Sequence, residues 1–244
     1  MILGILGSIA GLSGYNPKRK QDIDSFPHFY QDISSIWISF HPIFSERPIF
    51  QKQMVTSNNY HGYGSDAGCF QITEQIIIAP TWKAYFYDET GQSKNIIENL
   101  RNKQTVFTPY LGKNEFRAEI SNFEELENAV EITEEVKDKK SMKFDSVTLL
   151  KKPDKHPIIK NLSKGISFEK YFEAPKSQIS DDGYSIFENY PYALGKDLHY
   201  KLALSVFTNW EIDPSTLMEG TRVFRIRDLE GKERTIQMFN GGLE

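Results

Sequence analysis

The chain has 244 residues, 39% of them hydrophobic, 25% charged and 13% aromatic. That is enough for one large globular domain or two small ones, and it excludes a low-complexity or collagen-like chain. A formal net charge of −4 excludes bulk electrostatic attraction to nucleic acid, so any such site must be a local patch or depend on charge from other subunits.

Cys69 is the single cysteine, which rules out an intramolecular disulfide and fits a reducing cytoplasm. The apolar start, Met1 to Leu12, lacks a basic leader and falls short of the ~20 residues that span a bilayer. No membrane association is expected. The segment is predicted to be a buried helix, with Gly4, Gly7 and Gly11 on one face and Ile5, Ile9 and Leu12 on another. Each interior glycine costs a helix roughly 1 kcal/mol relative to alanine. Three on one face imply close approach by a sheet or a nucleic-acid backbone.

The helix is expected to end at Gly14, followed by a loop carrying Lys18, Arg19 and Lys20. A helical turn around Phe29 to Ile33 precedes a strand in which Ile36, Ile38 and Phe40 alternate with Trp37, Ser39 and His41. Strands near Phe50–Thr56 and Phe70–Ile78 flank a polar tip from Ser57 to Asp66, which together read as a long hairpin. Trp82, Ala84 and Phe86 mark a further strand. Ser93 is placed to cap a helix with Ile96, Ile97 and Leu100 inward. The order helix, strand, strand, helix, strand matches a ferredoxin-like βαββαβ unit without its first, central strand.

Asn122 and Glu125 suggest a capping box for a helix burying Phe123, Leu126 and Val130, with a flexible lysine-rich loop after it. Lys151 to Lys164, with Pro153 and Pro157, reads as another loop. Further on, a strand is predicted over Tyr200–Phe207. A hairpin then joins Arg222–Arg227 to Arg234–Phe239 through Glu230-Gly231.

The segment Thr108-Pro109-Tyr110-Leu111-Gly112-Lys113-Asn114-Glu115-Phe116-Arg117-Ala118 combines a strand end, a glycine free to adopt positive φ, and a restart of alternation at Phe116 and Ala118. It presents two cations, Lys113 and Arg117, from a constrained backbone. The glycine-bearing first helix, Lys52-Gln53 leading to Asn58-Asn59-Tyr60, and Ala79-Pro80-Thr81-Trp82-Lys83-Ala84-Tyr85 precede it in order. In this order and spacing the chain resembles the Cas-five family of CRISPR-associated proteins, within the RAMP superfamily, and most of all its type I-B variant. The resemblance covers roughly the first half of the chain and is diffuse beyond Ile120.

The resemblance implies an α+β fold. Residues 1–120 would form a ferredoxin-like (RRM/RAMP) RNA-binding domain with a long β-hairpin insertion, and residues 121–244 a β-rich C-terminal part. Family members carry a strand before the first helix, so a start assigned to an internal methionine is the preferred expectation, and a segment from elsewhere filling the gap is the other. The implied function is that of a non-catalytic subunit of a cytoplasmic type I Cascade surveillance complex. It would bind and cap the 5′ handle of crRNA and contact the backbone subunit and the large subunit. No cofactor is implied.

Candidate RNA-binding residues follow. Asn58, Asn59, Tyr60, His61 and Tyr63 at the hairpin tip can hydrogen-bond and stack on unpaired bases, with Lys52 at the root for phosphate; a solvated Asn- and Gly-rich loop is the plainer reading. Lys113 and Arg117 suit an RNA 5′ end, or else meet the neighbouring acidic stretch. Lys18 and Arg19 can touch phosphate or simply be solvated. Arg225, Arg227, Lys232 and Arg234 either line the last hairpin as a cationic face or are salt-bridged strand surface.

Two alternatives stay open. One is a metal-independent endoribonuclease processing pre-crRNA, for which His41, His61, Tyr60 and Lys52 are the possible acid–base groups. Cutting relatives of type I-C use an adjacent Lys-His pair that has no counterpart at the matching place here; Lys155-His156 lies well downstream. The other is a purely structural assembly module without RNA affinity of its own. The five histidines and Cys69 show no metal-ligand spacing.

Overall fold

A computed structural model describes residues 1–14, 26–45, 48–59, 70–113, 115–151, 183–195, 199–228 and 230–242. It is mixed α+β, with short helices and many antiparallel strands. The chain separates into two compact units, residues 1–40 together with 84–244, and residues 41–83. The boundary expected near residue 120 falls inside the first of these.

In the larger unit, helix α1 (Ile2–Ala10) buries Leu3, Leu6 and Ile9. It stops at Gly11, three residues before the expected end. There φ is +76°, and the Leu12 and Gly11 N–H groups bond back to Gly7 O (2.9 Å) and Ser8 O (3.4 Å). Among the described residues no sheet packs on Gly7 or Gly11. A Cβ on Gly7 would lie 2.9 Å from Phe29 Cβ, and one on Gly11 would lie 2.8 Å from Val106 Cγ1, so helix and loop neighbours occupy that space. Gly4 faces nothing within 4 Å.

Phe29 belongs to helix α2 (His28–Ile33), which begins after Pro27. From it the Tyr30 hydroxyl accepts from Leu194 N (2.8 Å) and donates to Gly241 O. Residues far apart in sequence are thereby tied to the N-terminal helices.

Strand β1 (Trp37–Ile43) is buried on both faces, so its alternation marks a strand but not a half-exposed one. The Phe40 ring lies 5.0 Å from Tyr190 and 6.4 Å from Phe239, while the Arg222 guanidinium sits 4.3 Å above Trp37. Strand β1 pairs with a strand beyond the hairpin, β4 (Thr81–Tyr87; β2 and β3 are described below). It also bridges Phe239 through Ile38, with both backbone bonds made (2.8 and 3.0 Å). Among the described residues no four-stranded ferredoxin-like sheet forms. Helix α3 (Lys94–Arg101) follows as expected and buries Ile96 and Leu100. Its Ser93 side chain does not cap; the Asp88 carboxylate takes the Ser93 N–H instead (2.7 Å).

The helix expected from Asn122 is not there. Residues 121–129 have no regular secondary structure, with Phe123 stacked on Phe86 (6.4 Å, 14° between planes) and Leu126 packed against the cluster of Trp37, Tyr85, Phe224, Ile226, Ile236 and Met238. Glu125 is engaged by Arg101 through two bonds of 2.5 and 2.6 Å and caps nothing. Val130 is not inward but 55% exposed, in strand β5 (Val130–Glu131). A short helix α4 (Thr133–Lys137) comes only after it. The lysine-rich stretch that follows contains β6 (Met142–Lys143) and leads straight into the core through Phe144, Val147, Leu149 and Leu150.

The remaining strands are β7 (Thr148–Leu150), β8 (Ser185–Leu194), β9 (Tyr200–Thr208), β10 (Glu211–Ile212), β11 (Arg222–Arg227) and β12 (Glu233–Met238). They form antiparallel sheets ordered β7-β9-β8, β12-β11-β5 and β10-β6. The last hairpin pairs Arg222 with Met238 and Arg227 with Glu233, and Gly231 at φ +75° makes its turn, as the sequence predicts.

The smaller unit, residues 41–83, is built around β2 (Lys52–Asn59) and β3 (Phe70–Ile77), paired antiparallel from Lys52↔Ile77 to Asn59↔Phe70. This is the expected long hairpin, its tip lying outside the described residues. Its root is fixed by aromatic contact: Phe50 lies 5.1 Å from Phe44 and stacks on Trp82 at 5.3 Å.

Candidate nucleic-acid interface

The turn from Pro109 to Ala118 is the best-defined element among the candidate RNA-binding residues. Three backbone bonds hold it: Leu111 N to Phe116 O (2.7 Å), Phe116 N to Lys113 O (3.0 Å) and Ala118 N to Pro109 O (2.9 Å). Gly112 sits at φ +90°, a conformation that a side chain would strain. Tyr110 bridges Arg117 across the turn, so these two side chains share a face. Tyr110, Lys113 and Arg117 are exposed, whereas Pro109 is buried and anchors the base. Among the described residues Arg117 makes no ion pair.

The second candidate group is only partly described. Lys52 is exposed at the start of β2, opposite Ile77. The backbones of Asn58 and Asn59 end the strand, opposite Gln71 and Phe70. Tyr60, His61 and Tyr63 lie outside the described residues, as do Lys18 and Arg19. The turn belongs to the larger unit and the hairpin to the smaller one.

The arginines of the last hairpin divide. Arg234 gives its Nε to Asp228 (2.6 Å), a carboxylate only 3% exposed that also accepts from Lys232 N. Arg225 reaches Glu233 (3.2 Å) and Glu135 (3.8 Å). Both are spent on the protein itself, which favours salt-bridged strand surface over a cationic face. Arg227 and Lys232 are exposed.

The acid–base constellation is not assembled by the described residues. His41 is 9% exposed within β1, His61 and Tyr60 are outside the description, and Lys155-His156 likewise. Burial does shift several phenols: it pushes Tyr85 up to about 12, and it raises Tyr30, Tyr184 and Tyr190. Each is thereby a weaker acid than a free phenol.

The sequence reading passes over one concave feature, a groove lined by Tyr192 and Lys201. Its signal is Pro191, which lies inside a strand, where proline is confined to edges and bulges. Among the described residues no helix is long and apolar enough to cross a membrane, and no three His, Cys, Asp or Glu gather as metal ligands. No family model, no curated protein and no solved structure matches the chain.

Proposed function

We propose that this chain is a non-catalytic RNA-binding subunit of a type I CRISPR surveillance complex, resembling the Cas-five family and gripping the 5′ handle of the guide RNA. The observation that carries the reading is the Pro109–Ala118 turn, a rigid backbone loop with Gly112 at positive φ and exposed Lys113 and Arg117. Phosphates near the RNA terminus meet the two cations, and the hairpin from Lys52 to Ile77 supplies further contacts through its polar tip. With a net charge of −4, affinity rests on these local contacts and not on the field of the whole chain.

The finer fold reading belongs to the same proposal. A first helix, the pair β1 and β4 with a hairpin between them, and then α3 follow the order of a ferredoxin-like unit without its first strand. The backbone subunit and the large subunit are the proposed neighbours, in the cytoplasm. Incubating purified protein with labelled precursor RNA in EDTA tests the reading: intact, retarded RNA is expected. Cleaved RNA would move the chain to the endoribonuclease reading. RNA ignored both alone and in the assembled complex would leave a structural module.

A further inference from the structure

The sheet β7-β9-β8 carries one irregularity. Pairing runs unbroken from Ser185↔Thr208 to Pro191↔Leu202 and resumes at Ala193↔Lys201, which leaves Tyr192 as the extra residue of a β-bulge. Proline has no N–H for the ladder, and a bulge turns a side chain out of the regular alternation. Here the residue so displaced lines two adjoining clefts of about 590 and 520 Å³ that share Tyr192, Lys201 and Met218.

The chemistry of this groove is specific. Tyr200 lines it at 65% exposure, an unusual state for a large aromatic side chain. Lys151 lines it too, 3.3 Å from Glu219, the one carboxylate among the described lining residues. Two lysines against one glutamate give the groove a positive balance on a chain that is negative in sum. One wall is fixed in advance, because the Tyr30 hydroxyl holds Leu194 N and Gly241 O together.

We propose that this groove binds a segment of single-stranded RNA, with a base stacked on Tyr200 beside Tyr192 and a phosphate against Lys201, Lys151 being held by Glu219. The choice of RNA rests on the function proposed above; the site itself does not, since no residue of the Pro109–Ala118 turn lines it. A peptide added to the edge of β8 is disfavoured there, because the Leu194 N–H is already taken by Tyr30.

The test uses the full chain and a 4-thiouridine-substituted single-stranded RNA, photocrosslinked and mapped by peptide, with affinities measured in parallel. Crosslinks are expected within residues 190–204. Tyr200→Ala should weaken binding by about tenfold, a stacking-sized loss. Lys201→Gln should lower the slope of log K against log salt by about 0.7. Unchanged melting temperatures show that the variants fold. Crosslinks found only elsewhere, as when a protein partner fills the groove, overturn the proposal, as do variants that bind like the parent. Loss in Lys113→Ala/Arg117→Ala alone sinks the groove and keeps the turn; loss in Tyr200→Ala alone does the reverse.

Discussion

The side-chain amide of Gln237 pairs with both backbone groups of Leu149, accepting from its N–H at 2.5 Å and donating to its C=O at 3.1 Å. Both residues are fully buried. A single side chain thus does the work of a strand neighbour and joins β12 to β7, and its Nε2 also reaches Thr221 Oγ1 at 2.9 Å. Replacing it with leucine leaves the buried Leu149 N–H unmet, at about 1–3 kcal/mol, while the Leu149 carbonyl keeps its bond from Met218 N (2.9 Å). Gln237→Leu should therefore lower unfolding stability by about 1–3 kcal/mol in urea, with exposed-turn variants such as Arg117→Ala as near-neutral controls.

The glycines of α1 separate cleanly by what surrounds them. Gly4→Ala meets open space and should stabilise by roughly 0.5–1 kcal/mol through helix propensity. Gly7→Ala drives a methyl into Phe29, and Gly11→Ala adds a clash with Val106 to a strained φ, so both should destabilise by about 1–3 kcal/mol. Thermal melts of the three variants check the order; a stable Gly7→Ala would mean that α2 does not pack as described.

Alkaline pH should uncover the buried phenols. Tyr85 titrates at about 12 when folded, against about 10 unfolded. A raised folded value contributes stability that is whole below pH 10 and disappears as pH climbs toward 12. Urea midpoints should fall across that window, and tyrosinate absorbance should show a late group that Tyr85→Phe removes.

For the turn, Lys113→Ala/Arg117→Ala removes the two cations proposed to meet phosphate. The slope of log K against log salt for single-stranded RNA should drop by about 1.4, at 0.7 per contact. Measurement in the assembled complex is preferred, and an unchanged slope would remove the turn from the interface. Tyr60→Ala/Tyr63→Ala should instead weaken binding by a stacking increment and leave the slope nearly unaltered.

Much of the scaffold was legible because its signals were local. Alternation located β1, β4 and β9, the Glu230-Gly231 turn located the last hairpin, and Gly112 announced the constrained turn. What failed was context. Phe123 and Leu126 have helical spacing, yet an irregular surface segment can seat the same two residues, as it does here against Phe86 and the Trp37 cluster. The run from Val147 to Leu150 has no alternation because every position is buried, which period-2 reasoning cannot detect. Pro191 concealed β8, since its bulge breaks the pattern at the residue that matters for the groove. At the candidate site the turn could be read from its glycine and cations, whereas the fate of Arg225 and Arg234 depended on which carboxylates the hairpin sets beside them, Glu233 and Asp228 from the hairpin itself and Glu135 from α4.

The hairpin of β2 and β3 has two strands and, among the described residues, no third; Met54 and Ile72 are 59% and 42% exposed on it. A two-stranded ribbon is only marginally stable by itself. The amides of β2 and β3 should therefore exchange with deuterium far sooner than those of the Gln237–Leu149 core. Any ligand or neighbour that seats on the ribbon will slow that exchange while leaving the core rates unaltered. The ribbon thus acts as a built-in occupancy gauge, which reports engagement by protection before any change of shape is detectable.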